Sequence, residues 1–213
     1  MEVMPGREAV GEAMRATPRA DYLPGPARHR AAVDAPVDLG HGSTCSQPST
    51  VRTMLELLDV HEGQRVLDVG SGSGWTTAIL ARLVGPAGRV VGVEVVDELV
   101  QDAAHRLRRD GLAHASVRVA AADELGAPDA APFDRILVSA MAGELPDALL
   151  GQLAPEGLMV LPLRGRLARV TLTAGHAQVD RAPGGYRFVP LQTSGPSGHR
   201  RGRRWPWGRE ASD

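Results

Sequence analysis

Residues Val66–Trp75 read Val-Leu-Asp-Val-Gly-Ser-Gly-Ser-Gly-Trp and constrain the fold more than any other stretch. The apolar run Val66–Val69 is cut by Gly70, Gly72 and Gly74, and a helical apolar pattern then runs from Trp75 through Ile79, Leu80 and Leu83. That is the layout of a strand, a tight glycine turn and a helix. Glycine is needed because a side chain would hold a ligand away from the backbone. The unpaired N–H groups at the helix start then face whatever sits in the turn.

Two ligand classes use such a turn. A dinucleotide fingerprint requires G-x-G-x-x-G; Gly70 and Gly72 fit it, but the third place is Trp75. Asp68, just before the turn, would repel a diphosphate and suit an ammonium or sulfonium group. S-adenosylmethionine carries both cations and no phosphate. The next strand, Val90–Val93, ends at Glu94, 24 residues after Gly70. That is close to the spacing of about 20 at which an acid grips a ribose diol. The alternative is a purely structural turn with an ordinary surface glutamate.

Alternation of strand and helix continues through the chain. Strands are predicted at Arg65–Val69, Arg89–Val93, Ser116–Ala120, Arg135–Val138 and Leu158–Leu163, with helices at Trp75–Val84, Asp97–Arg109 and Pro146–Leu153. Such a pattern specifies an α/β, doubly wound, mostly parallel sheet with right-handed crossovers. Ligands bind beyond the carboxyl ends of its strands, where Asp68, Gly70, Glu94, Asp123 and Ser139 all fall. Two further strands, Arg169–Thr173 and Tyr186–Leu191, separated by a turn at Pro183–Gly185, are expected to close the sheet as an antiparallel C-terminal pair.

Upstream, Glu8–Arg15 reads as a short amphipathic helix and Pro18–Pro26 as a turn, together a cover over the core. Asp34–Thr50 is rich in Gly, Ser, Thr and Pro and leads into a helical pattern at Val51–Leu58. Ser49 or Thr50 is the expected cap. The hydroxyls of Ser43, Thr44 and Ser46 cluster before Pro48, as an active-site loop or as a plain capping turn. The expected organisation is a single domain over residues 1–192: cover and loop to 50, cofactor-binding core 51–165, closing strands 166–192. Residues 193–213, rich in Arg with Trp205 and Trp207, are expected to form a solvated tail. The other reading of that tail is a basic-aromatic strip for an acidic partner or nucleic acid.

Composition narrows the chemistry. All 24 basic residues are arginine, which excludes a lysine Schiff base or a phosphate-loop lysine. Cys45 is the single cysteine, so no internal disulfide forms, in keeping with a cytoplasmic location. No apolar stretch approaches the 18 or so residues of a membrane helix, and no secretion signal is visible at Met1–Arg19. The seven histidines lack metal-ligand spacing, leaving His41 in the loop as the one to test. With a net charge of −1, no nucleic-acid partner is expected.

These residues together resemble the protein-L-isoaspartate O-methyltransferase family over roughly Arg19–Leu191. The most specific piece is Gly40-His-Gly-Ser-Thr-Cys-Ser-Gln-Pro48, similar to the family's Ile-Gly-x-Gly-x-Thr-Ile-Ser-Gln-Pro loop. Val66–Trp75, Pro132-Phe133-Asp134, Glu144-Leu145-Pro146, Leu153–Pro162 and Phe188–Leu191 support it. The resemblance implies a Rossmann-like methyltransferase fold and transfer of a methyl from S-adenosylmethionine, leaving S-adenosylhomocysteine. The acceptor it implies is the carboxylate of isoaspartyl residues in aged proteins or peptides, with no metal; separately, a monomer is expected. It places Ser46 as the active-site serine, flanked by Thr44 and Gln47. Gly70, Ser71 and Gly72 would pass under the methionine part, Glu94 would hold the ribose, and Val95 would face the adenine. Ala122 and Asp123 fall where the family has Asp-Gly, so the acid is displaced by one position. Ser139, from its place at a strand end rather than from the resemblance, is also expected to bind the cofactor. Ala140-Met141-Ala142-Gly143 departs from the family's usual Ala-Pro pair, which leaves a dedicated peptide-tailoring methyltransferase, or one acting on RNA or another acceptor, as the alternative. A binding-only descendant that holds the cofactor without turnover is a further one.

Overall fold

The computed structural model describes residues 5–121, 123–173 and 175–192. In chain order its elements are helix α1 (Pro5–Arg15), strands β1 (Val37–Gly40) and β2 (Ser43–Cys45), helix α2 (Pro48–Leu58), β3 (Arg65–Val69), α3 (Trp75–Val84), β4 (Arg89–Glu94), α4 (Asp97–Arg109), β5 (Ala115–Val119), β6 (Phe133–Val138), α5 (Asp147–Leu150), β7 (Leu153–Leu163), β8 (Arg166–Thr173) and β9 (His176–Arg181). Short 3-10 turns at Arg19–Tyr22 and Gly25–Arg30 join α1 to β1.

The main sheet has the order β5-β4-β3-β6-β7-β8-β9. Its first four pairings are parallel and the last two antiparallel. Alternation along each strand divides the core in two. Val66, Val90, Val117 and Val160 face the layer of α2, α3 and α4. Leu67, Val91, Ile136, Met159 and Leu161 face the opposite layer around Phe133 and Leu149. Both faces are buried, which is why these strands read as continuous apolar runs. The chain winds from β3 outward through β4 and β5, then returns to the other side of β3 as β6. The switch point therefore lies between β3 and β6, and sheets of this kind bind ligands there.

Helix ends follow local chemistry. α4 carries Asp97 and Glu98 in its first turn and Arg106, Arg108 and Arg109 in its last, matching the helix dipole at both ends. Gly74 precedes α3 at φ +82°, and a Cβ there would stand 2.8 Å from the Ala103 Cβ. The glycine that lets α3 approach its neighbour is thus Gly74, one place before the dinucleotide position. Trp75 is buried instead, its indole N–H donating to the Thr17 carbonyl at 2.9 Å.

Four details differ from the sequence expectations. Asp34–Thr50 holds the hairpin β1–β2, with Gly40 opposite Ser43. His41 and Gly42 form its two-residue tip, both at positive φ, as a type I′ turn demands. Neither Ser49 nor Thr50 caps α2. Gln47 occupies the cap position without a side-chain bond, and Asp34 Oδ1 accepts from the Ser49 N–H at 2.9 Å. The helix expected at Pro146–Leu153 is only Asp147–Leu150, and β7 starts early at Leu153. Ala154–Gly157 bulges out of the β6 register there, because Pro155 has no N–H to offer and Glu156 takes φ +60°. Finally, β8 pairs with His176–Arg181, not with Tyr186–Leu191. The latter runs as an extended strap over the strand ends, held by Tyr186 N–H to the Gly165 carbonyl and by Met141 N–H to the Val189 carbonyl.

Candidate active site

Two openings meet at the switch point. The smaller, about 230 Å³, is floored by Gly70 and Gly72, walled by Glu94, Val95, Val96, Ala120, Glu124 and Leu125, and covered by His41–Thr44 and the strap. The larger cleft, about 790 Å³, is lined by Ser46, Gln47, Ser49, Thr50, Thr53 and strap residues Tyr186–Val189. Three residues line both: Thr44, Ser139 and Val189. They form a waist between a glycine-floored cavity and a hydroxyl-lined cleft.

The floor is built by the backbone. Gly70 N–H and Ser71 N–H both donate to the Val93 carbonyl, at 2.9 and 3.1 Å. This folds the turn across the end of β4. Gly70 sits at φ +77°, where a side chain is strained, and a Cβ there would lie 3.7 Å from the Ser139 backbone. Glu94 is buried at 6% exposure. Its Oε2 accepts from the Gly72 N–H at 2.9 Å, and its Oε1 from Val95 and Val96 at 2.7 and 3.2 Å. Of roughly four acceptor positions on a carboxylate, about one remains for a hydroxyl in the cavity. Gln152, buried at the far wall, fixes the adjoining loop. It donates to the Leu125 carbonyl at 2.7 Å and accepts from Ala127 N–H at 2.8 Å.

The predicted site residues divide by position. Gly70, Gly72, Glu94, Val95, Thr44 and Ser139 surround the small cavity. Ser46 and Gln47, also expected at the cofactor, line the large cleft instead. Gln47 further serves the loop itself, its amide donating to Asp34 Oδ2 and Ser49 Oγ, each at 2.9 Å. These contacts hold the Asp34 carboxyl below its usual range, first through the Ser49 N–H. Ser71 turns away from the cavity: it is 5% exposed, its Oγ finds no partner, and its Cβ packs toward Gly92. Asp123 also stands apart from the cavity. It sits exposed at φ +62° outside the lining, and Glu124 takes the wall position. Ala122 and the tail 193–213 lie outside the described residues.

Asp68 lines neither opening. It is fully buried beneath the turn, with Oδ2 accepting from the Thr77 hydroxyl at 2.7 Å and Oδ1 unpartnered. Burial pushes its carboxyl up to about 7; the nearby Glu94 adds to this and Thr77 opposes it. Among the described residues, no group of three or more His, Cys, Asp or Glu could hold a metal ion. No helix among them is long and apolar enough to cross a membrane.

Sequence reasoning missed the hairpin tip and the strap as cavity walls. The tip had a local signal, alternation in Val37-Asp38-Leu39 before His41-Gly42. The strap had none, because its partners at Met141 and Gly165 are distant in the chain.

The family profile for protein-L-isoaspartate(D-aspartate) O-methyltransferase (PCMT) matches residues 3–195. A Methanopyrus kandleri protein-L-isoaspartate O-methyltransferase is 44% identical over 187 residues, covering 85% of this chain and 82% of its own. One from Myxococcus xanthus is 39% identical over 189 residues, covering 85% and 87%. Among solved structures, a Plasmodium falciparum chain described as such an enzyme, in complex with S-adenosyl-L-homocysteine, superposes with TM-score 0.76 at 27% identity, covering 88% of this chain and 91% of that one.

Proposed function

This chain belongs to the protein-L-isoaspartate O-methyltransferase family, and we propose that it transfers a methyl group from S-adenosylmethionine to the free carboxylate of L-isoaspartyl residues in proteins or peptides. The observation that carries the reading is the shared waist: Thr44 and Ser139 border both the glycine-floored cavity and the cleft that holds Ser46.

The cavity suits the methyl donor. Gly70 and Gly72 hold the floor at positive φ, which favours glycine, Glu94 offers a carboxylate to sugar hydroxyls, and Val95, Val96 and Leu125 supply apolar walls for a flat base. When bound there, S-adenosylmethionine supplies an electrophilic sulfonium methyl. The protein's own part is modest in chemistry and strict in geometry. A carboxylate acceptor is already ionised near pH 7, so no general base is needed. Ser46 donates a hydrogen bond to the acceptor and aims one oxygen through the waist. Thr44 and Ser139 border the line of transfer, and the strap with the hairpin tip shields it from water. Positioning of this kind supplies about 7–11 kcal/mol in favourable cases. The enzyme acts as a monomer in the cytoplasm in this reading.

The test is a methyl-transfer assay on an isoaspartyl peptide beside its normal aspartyl twin. Base-labile methanol should be released only from the first. Equal labelling of both, or of neither, would overturn the reading, and labelling of one cognate peptide alone would point to a dedicated tailoring enzyme.

A further inference from the structure

Arg19 is 6% exposed, yet every oxygen its guanidinium touches is a backbone carbonyl. Nη1 donates to Val33 at 3.1 Å and, at the limit, to Ala31 at 3.5 Å. Nη2 is shared among Ala35 at 2.9 Å, Cys45 at 3.0 Å and Ser46 at 3.0 Å. Nε points at the Cys45 sulfur, 3.5 Å away. The guanidinium carbon also lies 5.5 Å above the centre of the Trp75 ring.

Those partners belong to different working parts. Ser46 and Cys45 are the acceptor loop, residues 31–35 are the chain feeding the hairpin, and Trp75 is the first residue of α3 after the glycine turn. One rigid plane therefore links the acceptor serine to the first residue of the helix that follows the glycine turn. Burial pushes the Cys45 thiol up, while Arg19 pulls it down. A buried cation whose hydrogen-bonded oxygens are all backbone carbonyls is costly unless each bond is made. Lysine could not substitute, because an ammonium has neither the fork nor the flat face that stacks on indole.

We propose that Arg19 is the positioning residue of the methyl transfer, setting where Ser46 stands relative to the glycine turn. This rests on the methyltransferase reading above. Arg19 lines neither opening, so it acts through Ser46 rather than on the substrate.

The experiment compares wild type, Arg19→Lys and Arg19→Ala in three measurements: S-adenosylhomocysteine binding, kcat and KM on an isoaspartyl peptide, and amide hydrogen exchange by segment. In Arg19→Lys, the expected outcome is unchanged S-adenosylhomocysteine affinity, kcat lower by roughly 10–100-fold, the size of a lost charge-assisted bond, and faster exchange in 43–47 but not in 66–74. In Arg19→Ala, about 20 mM guanidinium chloride, far below denaturing levels, should restore part of kcat while sodium chloride does not. Unaltered kcat with unaltered exchange would overturn the proposal. So would loss of S-adenosylhomocysteine binding in Arg19→Lys, which would make Arg19 a staple of the whole fold. An inactive wild type would instead refute the methyltransferase reading, and the exchange data would still decide Arg19.

Discussion

Replacing Asp68 by Asn should flatten a pH dependence that the wild type carries in its core. Asp68 has no exposure, one donor in Thr77 and an unpartnered Oδ1. Burial, with Glu94 nearby, lifts its carboxyl from 3.8 to about 7. The folded state therefore holds a proton that the unfolded chain has released. The sign follows from linkage: between the two values the native state binds more protons, so stability falls as pH rises. At about 1.4 kcal/mol per pH unit, the full displacement is worth about 4 kcal/mol, and about 3 kcal/mol of it falls between pH 5 and 8. Asn keeps an oxygen for Thr77 and cannot ionise. Any cost of its amide is independent of pH and drops out of the comparison. Urea unfolding of both proteins from pH 5 to 8 should show the wild type losing about 3 kcal/mol relative to Asp68→Asn, with equal m-values. A difference that stays constant across that range would refute the reasoning, because Asp68 would then be ionised in the folded protein throughout. Thr77→Val removes the one opposing donor and should move the wild-type transition to still higher pH.

Ser46→Ala should keep S-adenosylhomocysteine affinity in calorimetry yet lose roughly 10–100-fold in kcat. Glu94→Ala should weaken that binding by about 10–100-fold and also lower the melting temperature, since three backbone N–H groups lose their acceptor. Gln152→Ala should destabilise the fold by about 1–3 kcal/mol and raise KM for S-adenosylmethionine, because Leu125 and Ala127 lose their anchor. Gly74→Ala should cost about 2–4 kcal/mol in urea unfolding, its methyl meeting Ala103 at 2.8 Å while φ stays at +82°.

Local patterns carried the helices and the central strands. Trp75–Val84 and Asp97–Arg109 are helices over their predicted spans, since each is an uninterrupted apolar stripe closed by its own chemistry: Gly85 after the first, arginines at the end of the second. Strand β3 and the turn at Gly70 were equally plain, because a short apolar run followed by spaced glycines has few alternatives. Errors gathered where contacts are remote. Tyr186–Leu191 has the composition of a strand, yet β8 is already occupied on that side by His176–Arg181, leaving it to lie across the strand ends.

The sequence by itself determined the winding of the sheet, the glycine turn, the acid at the end of β4 and the serine loop, because each is written in neighbours a few residues apart. Only the tertiary structure decided which way Asp68 and Ser71 point, that Glu124 rather than Asp123 walls the cavity, and that Arg19 ties Ser46 to Trp75. A side chain's facing depends on which face of the sheet is already filled, and its partners can be remote in the chain, as Ser46 is 27 residues from Arg19. Spacing along a strand cannot report either.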